Sequence, residues 1–180
     1  VKRETWRSKN FTKIISRSYK KMGVQVGDSI PEATMNIMGD KGPQEITTAD
    51  IFAGKKVVLF AVPGAFTPTC SAAHLPGYVA NADKIKAAGV DSIVCVSVND
   101  AFVMDAWSKG QNAEEIMMVG DGNGDFAKAM GTVMDGSGFG LGTRSTRYSL
   151  IAEDGKITVL NLEKGGAFDV SSAEAILAAL

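Results

Sequence analysis

Cysteine and histidine are almost missing from this 180-residue chain, which has two of the first and one of the second. Two cysteines cannot build a disulfide framework, and with a lone histidine they supply too few soft ligands for a structural zinc site. Each thiol is left with chemistry or with burial. No apolar run approaches the ~20 residues that a membrane span requires, and VKRETWRSKNFTKIISRSYKKM lacks the apolar centre of a secretory signal. An intracellular, reducing compartment is expected, where a disulfide is transient or catalytic. A strong overall charge is also lacking, at −1 net, but the balance is uneven. Residues 1–22 hold eight Lys/Arg and one acid, Glu4, while the remainder holds eleven basic and nineteen acidic residues, giving +7 and −8. The acidic body argues against nucleic acid as a partner. The basic arm has the Arg, Lys and Ser content of an organellar presequence, so 1–22 reads as a targeting or processing remnant. An ordinary extension, with Trp6, Phe11, Ile14, Ile15 and Tyr19 on one helical face, fits equally. Cytoplasm and mitochondrion both stay open. The first residue is Val1 rather than Met, so the true start is expected upstream.

Residues 23–180 have the composition of one globular domain, with 45% apolar and 22% charged residues in the whole chain. Segment 24–56 is rich in turn signals around short apolar pieces such as ATMNIM, which predicts short strands and a hairpin. KKVVLFAV and DSIVCVSV are continuous apolar runs, expected as strands buried on both faces. Between them TPTCSAAHLPGYVANADKIKAAG carries helix formers up to Gly89, with Thr67 or Thr69 as N-cap. NDAFVMDAWSKG predicts a helix opened by Asn99 or Asp100, IMMVGD a short strand and NGDFAKAMG a short helix. TRYSLIAEDGKITVLNL reads as two strands around Asp154-Gly155, and SSAEAILAAL as a helix with a capping box from Ser171 to Glu174. Alternating strands and helices followed by a hairpin predict a thioredoxin-like α/β fold. It has a central mixed sheet flanked by helices and an N-terminal hairpin extension.

On that fold Cys70 falls in the opening turn of a helix, just after a buried strand. Unpaired backbone N–H groups and the helix dipole favour a thiolate over a thiol at such a place. Pro63 and Pro68 stiffen the approach, and Gly64 allows a sharp turn. Thr67 lies three residues before Cys70, where its hydroxyl reaches the same side of the turn, accepting from backbone N–H and donating to an oxygen substrate. A Cys-x-x-Cys dithiol is excluded by Thr67 and Ala73. On position alone, a small buried hydrophobe remains the alternative reading of Cys70.

VPGAFTPTC contains Pro63-x-x-x-Thr67-x-x-Cys70, and the longer string VPGAFTPTCSAAHLPGY occurs with SVNDAFVMDAW at 97–107 and GLGTRSTRY at 140–148. Together these resemble the peroxiredoxins, and within them the type II or peroxiredoxin-5-like subfamily (atypical 2-Cys), over roughly residues 24–180. The resemblance implies a thiol peroxidase for hydrogen peroxide and alkyl hydroperoxides that uses no metal or organic cofactor. Cys70 would attack the peroxide and become a sulfenic acid. Thr67 would hold the peroxide, Pro63 would shield the thiolate, and Arg144 would supply the fixed positive charge. Arg147, three residues on, would face the other way on a strand and is read as structural or interfacial. Glutaredoxin, thioredoxin or glutathione would be the reductant, and a homodimer the assembly.

Cys95 lies inside DSIVCVSV, where packing in the core is the plain reading. By the resemblance it would resolve the sulfenic acid as an intramolecular disulfide, which requires Cα atoms within ~7 Å and hence local unwinding over 66–75. A one-cysteine cycle closed by glutathione or glutaredoxin, or a redox sensor without turnover, are the alternatives. His74, four residues after Cys70, suggests a Cys/His hydrolase, but such pairs come from separate elements with a third residue to orient the imidazole. Local hydrogen bonding or an interface is therefore expected of His74. GDGNGDF at 120–126 lacks the acids of an EF-hand and the Lys-Ser/Thr of a phosphate loop, leaving a turn into a short helix.

Overall fold

A computed structural model describes residues 23–180. The basic arm, with its predicted targeting role and helical face, lies outside the described residues. Nine strands follow in chain order: β1 Thr34–Gly39, β2 Gly42–Thr47, β3 Lys56–Val62, β4 Ser92–Ser97, β5 Met117–Gly120, β6 Val133–Asp135, β7 Thr143–Ser145, β8 Tyr148–Glu153 and β9 Lys156–Leu162. The helices are α1 Thr48–Phe52, α2 Leu75–Ala87, α3 Ala101–Gly110, α4 Asp125–Met130 and α5 Ala173–Ala179, with a π turn at Cys70–His74 leading directly into α2.

Seven strands form one sheet in the order β2-β1-β5-β4-β3-β8-β9. β3 is an inner strand, parallel to the central β4 and antiparallel to β8, and β4 is parallel to β5. Because neighbours cover both edges and both faces of β3, every residue from Val57 to Val62 is buried, as its unbroken apolar run requires. Alternation along the central strands divides the core in two. Val58, Phe60, Val62, Ile93 and Cys95 pack with Leu75, Tyr78, Trp107 and Ile176 on one face. Val57, Leu59, Ala61, Val94 and Val96 pack with Ile51, Phe52, Phe126 and Met130 on the other. Cys70 belongs to the first cluster, so it and Cys95 share a face of the sheet. This is the expected mixed sheet with helices on both faces.

Local signals were honoured at most boundaries. Asp100 caps α3, its side chain accepting from the Val103 N–H at 2.9 Å. Asp154 and Gly155 adopt the left-handed turn between β8 and β9, with φ of 47° and 75°. Three details differ. Thr47 and Asp50 form a capping box that starts the short α1, which the hairpin reading of 24–56 passed over. The cap of α5 is Ser172, not Ser171, because the Ser171 hydroxyl is engaged by Glu163. β6 and β7 pair as a separate two-stranded sheet, so Arg144 and Arg147 do not share one strand as the facing argument for Arg147 assumed.

Candidate active site

β3 ends at Val62, and residues 63–67 turn the chain into a helix whose first residue is Pro68. Proline suits this place because the first-turn N–H has no partner in any helix. Cys70 lies in that first turn and is fully buried. The turn is wound wide: the Leu75 N–H bonds to the Cys70 carbonyl, five residues back. Neither threonine caps it through a side chain. Thr69 is itself helical, and the Thr67 hydroxyl donates to the Gly64 carbonyl at 2.7 Å instead of accepting from backbone N–H. Its lone pairs remain on offer while its proton is committed. Phe66 takes φ 63°, in a region that costs a bulky residue free energy, and its ring is exposed. The Trp107 indole N–H donates to Ser71 Oγ at 3.0 Å, pinning the turn against α3.

The positive group at the sulfur is Arg147. Its Nη2 stands 3.5 Å from Cys70 Sγ, and its side chain is buried at 5% exposure. Nε lies on the same edge of the planar fork as Nη2, is buried, and has no partner among the described residues. Arg144, which the resemblance had suggested for this place, is elsewhere. Its Nε donates to the Leu141 carbonyl at 2.9 Å, and its Nη1 reaches the Pro63 carbonyl at 3.4 Å and Asn99 Oδ1 at 3.5 Å. The orientation argument failed because it assumed one strand through both arginines. β7 ends at Ser145 and β8 begins at Tyr148, so Arg147 lies in the break between them and its side does not follow from counting in twos.

Arg144 braces the loop before Cys70. A Cβ on Gly64 would come within 2.9 Å of Arg144 Nη1, so glycine is what lets the guanidinium lie against this backbone. Asn99, read from sequence only as a possible helix cap, is the hub of the brace. Its Oδ1 accepts from the Ala65 N–H at 3.0 Å and from the Ser97 hydroxyl at 2.6 Å. Pro63 thus sits in a loop held from both sides, with its carbonyl tied to Arg144.

A buried thiol in a helix-opening turn, with the edge of a guanidinium against it, is an arrangement for stabilising negative charge on sulfur and on an oxygen beside it. The sequence pattern of the redoxin family matches residues 25–177. The chain belongs to the redoxin family and is a peroxiredoxin. Peroxiredoxin-2E-2, chloroplastic, of Oryza sativa subsp. japonica is 52% identical over 163 residues, covering 87% of this chain and 72% of that protein. Peroxiredoxin-2D of Arabidopsis thaliana is 46% identical over 159 residues, covering 87% and 98%. Among solved structures, reduced Prx3 in complex with H2O2 from Vibrio vulnificus superposes with a TM-score of 0.84 at 56% identity, covering 87% of this chain and 98% of that one. The protein is therefore a thiol-dependent peroxidase. Among its described residues no helix is long and apolar enough to cross a membrane.

The peroxiredoxin site continues behind Arg147. Its Nη1 contacts His74 Nδ1 at 2.9 Å, and His74 Nε2 contacts the Ser171 carbonyl at 3.0 Å, which also accepts from the Tyr78 hydroxyl at 2.9 Å. Glu163 Oε1 accepts from the Ser171 N–H, the Ser171 hydroxyl and the Asp169 N–H, each at 2.8 Å. Phe168 packs against both groups, 5.0 Å from the His74 ring and 5.7 Å from the Arg147 guanidinium carbon. Burial first, and then the Arg147 charge, lower His74 from its ordinary 6.5 to about 4, against the Ser171 carbonyl and Glu163, which raise it. His74 is thus neutral at pH 7. Burial raises Glu163, but the backbone N–H groups of 169–171 and the Ser171 hydroxyl outweigh it and leave the carboxyl below its usual range. The local hydrogen bonding expected of His74 is present, although its partner is Arg147, the arginine beside Cys70.

Cys95 and Cys70 are both free thiols. Cys95 stands in mid-strand opposite Phe60 and Met118 and is fully buried. Burial first, and then the electrostatic influence of Cys70, push its thiol well above the ordinary 9.0. In place, it is a protonated core residue and a poor nucleophile. In the 120–126 loop the Asp121 carboxylate caps α4 through the Phe126 and Ala127 N–H groups, at 3.0 and 2.9 Å.

Proposed function

We propose that Cys70 is the peroxidatic nucleophile and that Arg147 rather than Arg144 is its cationic partner. The supporting observation is the guanidinium edge that faces the sulfur, with Nη2 at 3.5 Å and Nε unpartnered among the described residues. The thiolate attacks the terminal oxygen of a hydroperoxide. An S–O bond forms and the O–O bond breaks, the sulfur is oxidised to sulfenic acid, and the departing alkoxide or hydroxide takes up a proton. Nε–H is a spare donor for the oxygen on which charge develops. Thr67, whose proton is held by Gly64 O, accepts the O–H of the incoming peroxide and so orients it. Pro63 lines the approach and presents no N–H to bind water there.

Cys95 then attacks the sulfenic sulfur, releasing water and closing a disulfide. Its burial and its protonated state mean that the 68–74 turn must open before this step, which supports placing resolution after a local unwinding. An external dithiol, glutaredoxin or thioredoxin, or glutathione, reduces the disulfide. The rate of recycling with each in turn identifies the donor. The Oryza sativa and Arabidopsis thaliana 2E relatives are named chloroplastic, so the organellar reading of residues 1–22 extends from mitochondrion to plastid. A reporter fused after residue 22 tests it by where it accumulates.

Intact mass spectrometry after one equivalent of hydrogen peroxide tests the cysteine roles. The wild type is expected to lose two hydrogens as a disulfide forms, and Cys95→Ser to gain one oxygen at Cys70. A persistent sulfenic acid in the wild type removes Cys95 from the cycle in favour of an external thiol, and an unmodified Cys70 overturns the assignment.

A further inference from the structure

The Gly64 carbonyl and the Ala65 N–H belong to one peptide unit, and both are claimed. Asn99 Oδ1 accepts from the Ala65 N–H at 3.0 Å, while the Gly64 carbonyl accepts the Thr67 hydroxyl proton at 2.7 Å. In a planar trans peptide the two groups point opposite ways, so holding one aims the other. Asn99 is held in turn, because the Ser97 hydroxyl reaches the same Oδ1 at 2.6 Å and Arg144 Nη1 reaches it at 3.5 Å. A backbone N–H and a guanidinium offer no acceptor, which requires the oxygen of this amide, and not its nitrogen, to face them. Ser97 ends β4 opposite Val62, where the loop leaves β3, and thereby anchors Asn99 to the central sheet. The peptide is also packed closely on its far side: a Cβ on Gly64 would come within 3.0 Å of Thr67 Cγ2.

From this relay we propose that Asn99 is a positioning residue for the peroxide, acting through Thr67. By accepting from the Ala65 N–H it keeps the Gly64–Ala65 peptide in the orientation whose carbonyl takes the Thr67 proton, so that the Thr67 hydroxyl meets the peroxide as an acceptor. The proposal rests on the reading of Cys70 and Thr67 given above. Each bond in such a chain polarises the next, which favours one direction of all the protons together. Without Asn99 the peptide unit is free to turn and its carbonyl leaves Thr67. The hydroxyl can then donate to the Cys70 thiolate or to water, and the peroxide loses the acceptor that orients it.

Three substitutions in the full chain separate positioning from packing. Asn99→Asp keeps the acceptor, Asn99→Leu removes it at similar volume, and Thr67→Val removes the hydroxyl while keeping its shape. The readout is the ratio of two rates at Cys70, oxidation by hydrogen peroxide and alkylation by iodoacetamide, each taken at the alkaline plateau of its pH profile where the thiol is fully ionised. In Asn99→Leu this ratio is expected to fall about 5- to 20-fold, as loss of a well-placed hydrogen bond implies, and in Asn99→Asp to stay within about threefold of wild type. Added to Thr67→Val, Asn99→Leu is expected to lower the ratio by less than about twofold more, because the relay ends at that hydroxyl. Equal losses in the two Asn99 variants, an unchanged ratio in Asn99→Leu, or a full second loss in the double variant overturns the proposal. In isotopically labelled wild type, a scalar coupling across the hydrogen bond is expected between the Ala65 amide nitrogen and the Asn99 side-chain carbonyl carbon. Its absence overturns the proposal whether or not the variants fold. A wild type whose Cys70 peroxide leaves unmodified, or a Thr67→Val variant with an unchanged ratio, would instead overturn the reading of the nucleophile or of the threonine on which the proposal stands.

Discussion

A guanidinium 3.5 Å from a sulfur lowers the free energy of negative charge there, whereas one that reaches only carbonyl oxygens holds backbone in place. Arg147 and Arg144 divide along that line, although they stand three positions apart. Arg147→Lys replaces a two-donor edge with a single point charge, and the second-order rate constant for peroxide is expected to fall about 100-fold or more. Arg144→Lys should cost less than about tenfold in that constant and should show instead as a lower melting temperature, since it loosens the loop from Pro63 to Thr67. Stopped-flow oxidation with hydrogen peroxide compares the two, and a larger rate loss in the Arg144 variant would reverse the assignment. Motif matching pointed to the first arginine of GLGTRSTRY because one-letter spacing cannot show where a strand breaks. The signals that existed were the small residues Ser145 and Thr146 between two strand-like runs, and they were too weak to reveal the gap from β7 to β8.

At the scale of elements, the segment 163–172 between β9 and α5 works as a strap. It lays Phe168 over Arg147 and His74, and the Glu163 carboxylate ties it down through the N–H groups of 169 and 171. Its dependence on pH follows from His74, whose folded-state value of about 4 lies below its ordinary 6.5. As pH falls the unfolded chain takes up this proton first, so the stability that the neutral ring contributes is complete above about 6.5 and drains away toward pH 4. At ~1.4 kcal/mol per pH unit the loss is on the order of 3 kcal/mol. Glu163, lowered overall, adds to the loss only below its own ordinary 4.5, and Asp121, raised by burial, acts in the opposite sense. Urea unfolding of wild type and His74→Asn across pH 4–7 isolates the histidine. The difference between the two is expected to change through that window, and a flat difference would show that His74 carries no such linkage. The strap was invisible beforehand: EKGGAFDV reads as a loop, and nothing local says that Phe168 meets residue 74.

At the scale of the molecule, three phenylalanines of the described residues are left exposed to solvent. Phe66 stands at 60% exposure before Cys70, Phe102 at 63% on α3, and Phe139 at 88% on the turn between β6 and β7. Asn99 and Arg144 bind the segments that carry the first and last of these. A strained, solvent-facing aromatic at φ 63° is poorly explained by packing within one chain, and this supports the homodimer proposed from the family resemblance. Light scattering on the reduced protein should give twice the chain mass, and Phe102→Glu should halve it. A monomeric wild type would remove the assembly from the account. The reaction class was carried by the family resemblance of the motifs; what the sequence determined by itself is the framework: two buried strands, the helix opening at Pro68 that holds Cys70, and the order of the layers. Those features are written in short-range patterns, the period of apolar residues and the residue types that start and stop helices. What only the tertiary structure decided is which groups surround the sulfur. Residues 70, 74, 147 and 171 meet because the sheet places β3 beside β8 and the chain breaks before Tyr148, and contacts across more than seventy residues leave no periodic trace. The histidine near the cysteine was legible as a neighbour, but its bond to the arginine required the fold.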